Sequence, residues 1–190
     1  MEIDKFNKEA YNRTLFEASK DDDNKVPLID DDKHIACKLD DLTRRVCEEL
    51  RNGQTLCGCD AYLKANGIHW FIEFKNQYAD SISQKKIQQI WRKAYDSIST
   101  VRMAIDQTIT LDDLCQNAVL LVVFRDEEQP GLDAFKQITS GYVKKEYPVY
   151  WGLRKIEGKL YREVHTIPKS VFCDKWIPRI WGFQDIQQGV

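Results

Sequence analysis

The chain has no apolar run approaching the roughly 20 residues that a helical membrane span needs, so helical membrane-protein classes are excluded. Its opening, Met1 to Asn12, lacks the basic-then-apolar build of a secretory signal, and a cytoplasmic location is expected. Histidines are scarce. His34, His69 and His165 show no HxxxH spacing and no Ser–His–Asp order, which removes zincin and triad hydrolases. There is no Gly-rich phosphate loop of the Walker type. Six cysteines are present, but Cys57 and Cys59 have no CxxC pair or matching His–Cys cluster, so zinc and iron–sulfur sites are not expected. Without a signal, Cys37, Cys47, Cys57, Cys59, Cys115 and Cys173 read as reduced thiols. A dominant charge is missing too: 28 Lys/Arg face 30 Asp/Glu.

What is there describes a globular chain. With 190 residues, 43% hydrophobic and 31% charged, it is long enough for one domain with a real core. Charge is unevenly distributed: residues 1–60 carry a balance of −5, residues 84–102 of +4 and residues 141–180 of +5. The later segments suit a polyanion, although solvated helix and strand faces give similar counts.

Periodicity predicts a first helix at about 5–19, then an acidic surface loop from Asp21 to Asp32. A second helix, about 39–51, aligns Leu39, Leu42, Val46 and Leu50 and stops at Asn52-Gly53. Strand-like runs from Thr55 to Leu63 and Ile68 to Gln77 flank Asn66-Gly67, a signal for a two-residue type I′ hairpin. A long helix from Ser83 to Ile105 buries Ile87, Ile90, Trp91, Ala94, Ile98 and Val101. Thr110 to Asp113 resembles a capping box. Ala118 to Phe124 is apolar throughout and reads as a strand buried on both faces. A helix is expected over Gly131–Ile138, and a second hairpin from Val149–Ile156 and Lys159–Ile167, turning at Glu157-Gly158. The class is α/β, a mixed sheet flanked by helices.

The Asn66-Gly67 turn sets a register in which paired positions sum to 133, which brings Asp60 opposite Glu73. Lys75 and Gln77 then share the face of Glu73, while Trp70, Ile72 and Phe74 take the other. Like charges directly opposed across strands are destabilising, and a divalent cation between them resolves the conflict. The bland reading of Glu-x-Lys is a pair of solvated charges on a half-exposed strand.

Cys59-Asp60, twelve residues, then Glu73-Phe74-Lys75-Asn76-Gln77 resembles the PD-(D/E)XK nuclease signature, with Cys59 in place of the proline. The resemblance covers about residues 39–125 and implies a restriction-endonuclease-like αβββαβ core. Residues 1–38 would be an N-terminal helix and acidic loop, and residues 126–190 a C-terminal elaboration containing the second hairpin. It implies Asp60 and Glu73 as ligands of Mg²⁺ or Mn²⁺, Lys75 as the catalytic lysine, and Gln77 as either the polar residue some branches carry after it or a strand-end glutamine exposed to solvent. Many members add a carboxylate from the preceding helix. Glu49, about 60° from Val46 on the helical wheel, points closer to the sheet than Glu48, the alternative being an exposed glutamate near the helix end.

The implied activity is metal-dependent hydrolysis of phosphodiesters, on DNA in preference to RNA, with a homodimer left open. The alternative is an inactive module of the same fold that binds nucleic acid or a protein. The Gln-x-x-x-Tyr motif of RecB-like exonucleases is not matched, because Gln84, Gln88 and Gln89 are followed four positions on by Gln88, Arg92 and Lys93. Lys85, Lys86, Arg92 and Lys93 are either phosphate contacts or a solvated helix face. His69 either touches substrate or is a satisfied histidine. Trp151, Trp176, Trp181, Tyr147, Tyr150 and Tyr161 suit packing better than base stacking.

Overall fold

Among the described residues six strands, in sequence order, form one mixed sheet with helices on both faces, in a computed structural model. It describes residues 8–21, 25–50, 55–126 and 148–182. The strands are β1 (Asn12–Thr14), β2 (Ile35–Cys37), β3 (Ala61–Ala65), β4 (Ile68–Lys75), β5 (Ala118–Phe124) and β6 (Glu163–Pro168). The first four are antiparallel neighbours; β4, β5 and β6 run parallel. The α/β class is therefore as expected. No helix among the described residues is long and apolar enough to cross a membrane.

The hairpin has the register counted from its turn, from Ala61 opposite Ile72 to Ala65 opposite Ile68. Asn66 and Gly67 have φ of 53° and 74°, the pair of positive values that a type I′ turn requires. Strand alternation splits the core in two. Trp70, Ile72 and Phe74 pack with Val119, Leu121 and Val123 beneath a C-terminal helical run, Lys169–Val171 to Ile177–Trp181, whose middle, Phe172–Trp176, is a π-helical turn. Phe71, Leu120 and Val122 face the opposite layer, α2 (Leu39–Leu50), α3 (Gln84–Ala104) and α4 (Leu111–Asn117). On α2 the buried stripe is Leu39, Leu42 and Val46, with Leu50 partly buried. On α3, Ile90, Ala94, Ile98 and Val101 are buried while Ile87 and Trp91 pack at its margin. The Thr110–Asp113 capping box is present.

Two expectations are corrected. Residues 5–19 do not form one helix: Lys8–Tyr11 is a 3₁₀ turn, Asn12–Thr14 is β1, and only Leu15–Ala18 (α1) is α-helical. The reason is tertiary, since β1 pairs with β2 more than twenty residues later. The second hairpin is also absent. Gly158 does turn the chain, with φ 69°, but Leu153–Ile156 is a 3₁₀ helix entered through Gly152 at φ 72°. β6 pairs with β5 instead, giving the buried strand a hydrogen-bonded neighbour on its second edge. The proposed Asn52-Gly53 cap, the helix at 131–138 and Tyr147 lie outside the described residues.

A candidate charged site on the central hairpin

Asp60 stands one residue before β3, where the ladder stops. Its Oδ2 accepts the Phe74 N–H at 2.6 Å, supplying an acceptor to β4 that the missing ladder rung no longer offers. The segment before it is held from two helices. The Cys57 N–H donates to Asp96 Oδ2 and the Cys59 N–H to Ser97 Oγ, both on α3. Gly58 lies against α2, where an added Cβ would fall 2.8 Å from the Leu39 carbonyl oxygen and closer still to Thr43 Oγ1. Thr43 in turn bonds Thr100 across the α2–α3 contact. Gly58→Ala must therefore separate Asp60's tether from α2. A loss of about 1–3 kcal/mol is expected, the range for overpacking, read from the denaturant midpoint. A loss below about 0.5 kcal/mol would show that the contact yields freely.

Glu73 sits mid-strand on β4, facing α3, with its side chain 1% exposed. Two ammonium groups meet it. Lys75 Nζ is 2.5 Å from Oε1, and Lys93 Nζ, from α3, is 3.1 Å from Oε2. Lys93 also reaches Asp60 Oδ1 at 2.7 Å. Both lysines are mostly buried, at 14% and 18% side-chain exposure. Burial pushes the Glu73 carboxyl above its usual range and Asp60 adds to this, against the pull of the two lysines. For the lysines burial works downward, but the carboxylates outweigh it. Glu73 and Asp60 raise Lys75, and Asp60 and Glu73 hold Lys93 well above its ordinary value. Both are ammonium ions at neutral pH. Neither Glu73 oxygen has a well-aligned hydrogen bond among the described residues, so these ionic contacts are what it has.

A cleft of about 270 Å³ opens beside this group, and Asp60, Lys75, Gln77 and Lys93 line it. Gln77 Oε1 is buried there with no hydrogen-bond partner among the described residues. Asp60, Lys75 and Gln77 thus share the cleft, and Glu73, which lies behind its lining, joins them through Lys75 and Lys93. Glu49 does not: it pairs with Arg45 on α2 and is 41% exposed. The acid that α2 does present to the cleft is Asp40, in its first turn. The helical wheel could not select it, because the wheel gives direction around the axis and not position along it. Lys86, Gln89 and Lys93 form one row on α3, at i, i+3 and i+7, all lining the cleft. The basic composition of α3 signalled this row; nothing local signalled that Lys93 would join Asp60.

Other candidates resolve as packing. His69 is buried, and its Nδ1 is 2.8 Å from the Tyr62 hydroxyl. Trp176 meets the rings of Trp70 and His165, and buried Tyr161 donates to the Ala94 carbonyl. All six cysteines are free thiols. Burial pushes Cys37 up to about 12 and Cys59 higher still. Among the described residues no group of three or more His, Cys, Asp or Glu side chains is placed to hold a metal. The carboxylates available to a cation at the hairpin are Asp60 and Glu73. Comparison with protein-family models, curated proteins and solved structures finds no match for this chain.

Proposed function

We propose that this protein is a metal-dependent nuclease that hydrolyses phosphodiester bonds, of DNA in preference to RNA, at the cleft beside Asp60, Glu73 and Lys75. The observation that carries the reading is that Asp60 Oδ1 and Glu73 Oε2 share one cation, the Lys93 ammonium, at 2.7 and 3.1 Å. A buried and a half-buried carboxylate converging on one positive charge beside an open cleft are a donor set suited to Mg²⁺ or Mn²⁺. Magnesium sites commonly use only one or two carboxylates, leaving other positions to water and substrate phosphate. The restriction-endonuclease-like core belongs to the same proposal. It is supported by the run α2, β3, β4, α3, β5. The third antiparallel strand, β2, precedes α2 and so departs from the αβββαβ order.

In this reading Asp60 and Glu73 hold the metal. Such an ion, when bound, neutralises charge on the phosphoryl group and lowers the pKa of an attacking water. Lys75 is held cationic by its neighbours, so it donates hydrogen bonds to an anionic oxygen or the attacking water and does not accept a proton. Gln77 Oε1 offers an acceptor to orient that water. Lys86 and Gln89 bind the flanking backbone.

A second reading is favoured by Lys93 itself. An ammonium at the cation position is also what a module that binds nucleic acid or a protein without turnover would keep. Plasmid DNA and RNA incubated with Mg²⁺ or Mn²⁺ separate the two. Cleavage that needs metal and disappears in Asp60→Asn is expected. Salt-sensitive binding with no cleavage of either substrate would favour the binding module, and cleavage equal in both proteins would remove the site assignment.

A further inference from the structure

Lys93 is a different kind of partner from Lys75. Lys75 lies on the same strand as Glu73 and touches that carboxylate from two residues away. Lys93 comes from another layer and ties Asp60, just ahead of β3, to Glu73 on β4. An oxygen-ligated divalent ion needs contacts of about 2.0–2.6 Å. It and the Lys93 Nζ cannot occupy the same space between Asp60 Oδ1 and Glu73 Oε2. Glu73, buried and without a well-aligned hydrogen bond, nonetheless requires positive charge beside it. An ammonium that leaves has somewhere to go, because Gln89 and Lys86 continue its row along the open cleft.

We propose that Lys93 is the resident cation of the Asp60–Glu73 pair, that a divalent metal binds there only by displacing it, and that the displaced ammonium becomes an anion-binding group in the cleft. The inference rests on the reading above for its choice of ligand carboxylates. It makes metal and phosphodiester cooperative partners. Without an anion, displacement takes Lys93 away from Asp60 and Glu73 and leaves it the Asp40 carboxylate across the cleft; with one, the ammonium gains a new partner, and the coupling is reciprocal.

Calorimetric titration with Mn²⁺, with and without dimethyl phosphate, tests this on the full chain. Lys93→Met is expected to bind Mn²⁺ at least about tenfold more tightly than the wild type. Dimethyl phosphate should tighten wild-type Mn²⁺ binding about fivefold or more and leave Lys93→Met unchanged. Equal or weaker Mn²⁺ binding by Lys93→Met overturns the proposal, as does an anion effect of the same size in both proteins. If Lys93→Met is unfolded without metal, recovery of its circular dichroism by Mn²⁺ supports the proposal and failure to recover overturns it. Cleavage is not read in this experiment. A protein that cuts no substrate yet shows the Lys93 dependence loses only the nuclease reading, and one that cuts with Mn²⁺ but shows no such dependence loses only this inference.

Discussion

Glu73→Ala is expected to destabilise the folded protein by about 3–5 kcal/mol, the cost of removing one partner from a buried ion pair. The argument turns on what is left behind. Lys93 keeps Asp60 at 2.7 Å, so part of its compensation survives. Lys75 does not. Among the described residues Glu73 is the only carboxylate within ion-pair distance of it, and its side chain is 14% exposed. Truncation also opens a hole in a strand hydrogen-bonded on both edges. Glu73→Gln keeps the volume and one acceptor oxygen and should lose less. Chemical denaturation monitored by circular dichroism gives the number. A loss under about 1 kcal/mol for Glu73→Ala would mean that water reaches these charges and that they are not a buried unit.

Under the proposed function, Lys75→Ala lowers kcat by about 10²–10³, the span observed for removing one preorganised donor to developing negative charge. Its effect should be confined to the chemistry. Asp60 and Glu73 remain, so Mn²⁺ affinity is not reduced, and Lys86 and Gln89 remain, so substrate binding changes little. A fall in kcat with near-constant KM is what removal of a transition-state contact produces. Circular dichroism of the variant separates this from loss of fold. If wild type and Lys75→Ala cut plasmid DNA at the same rate, Lys75 takes no part in the reaction.

The parts of this arrangement that were legible in the sequence are the locally determined ones. Asn66-Gly67 sets a turn whose geometry admits one register, and that register orders every side chain to Lys75. The α3 stripe and the Thr110 capping box likewise depend on neighbours within a few residues. The parts that were not legible depend on distant partners. β1 is a strand because β2 is there to pair with it, although its residues carry a helix-like pattern. β6 lies parallel to β5, while the same residues with a glycine turn ahead of them suggest a hairpin. Lys93 is the clearest instance. On α3 it looks like one more solvated lysine, and only the packing of that helix over β4 brings it to Asp60 and Glu73. Asp40 replaced Glu49 at the cleft for a related reason: the first turn of α2, not its last, lies over the end of the hairpin.

β5 is buried along its whole length and flanked in parallel by β4 and β6. Amides in such a strand exchange with solvent only when the entire domain opens, whereas short edge elements such as the three-residue β1 fray far more often. Glu73 and Lys75 ride on β4, next to that slowest-opening strand. Lys93 is carried instead by a helix with one face in solvent. The charged group therefore joins two layers of unequal stiffness. Sub-global breathing would move the ammonium first and leave Glu73 and Lys75 at their stations, which gives access to the cleft without loosening the sheet beneath it.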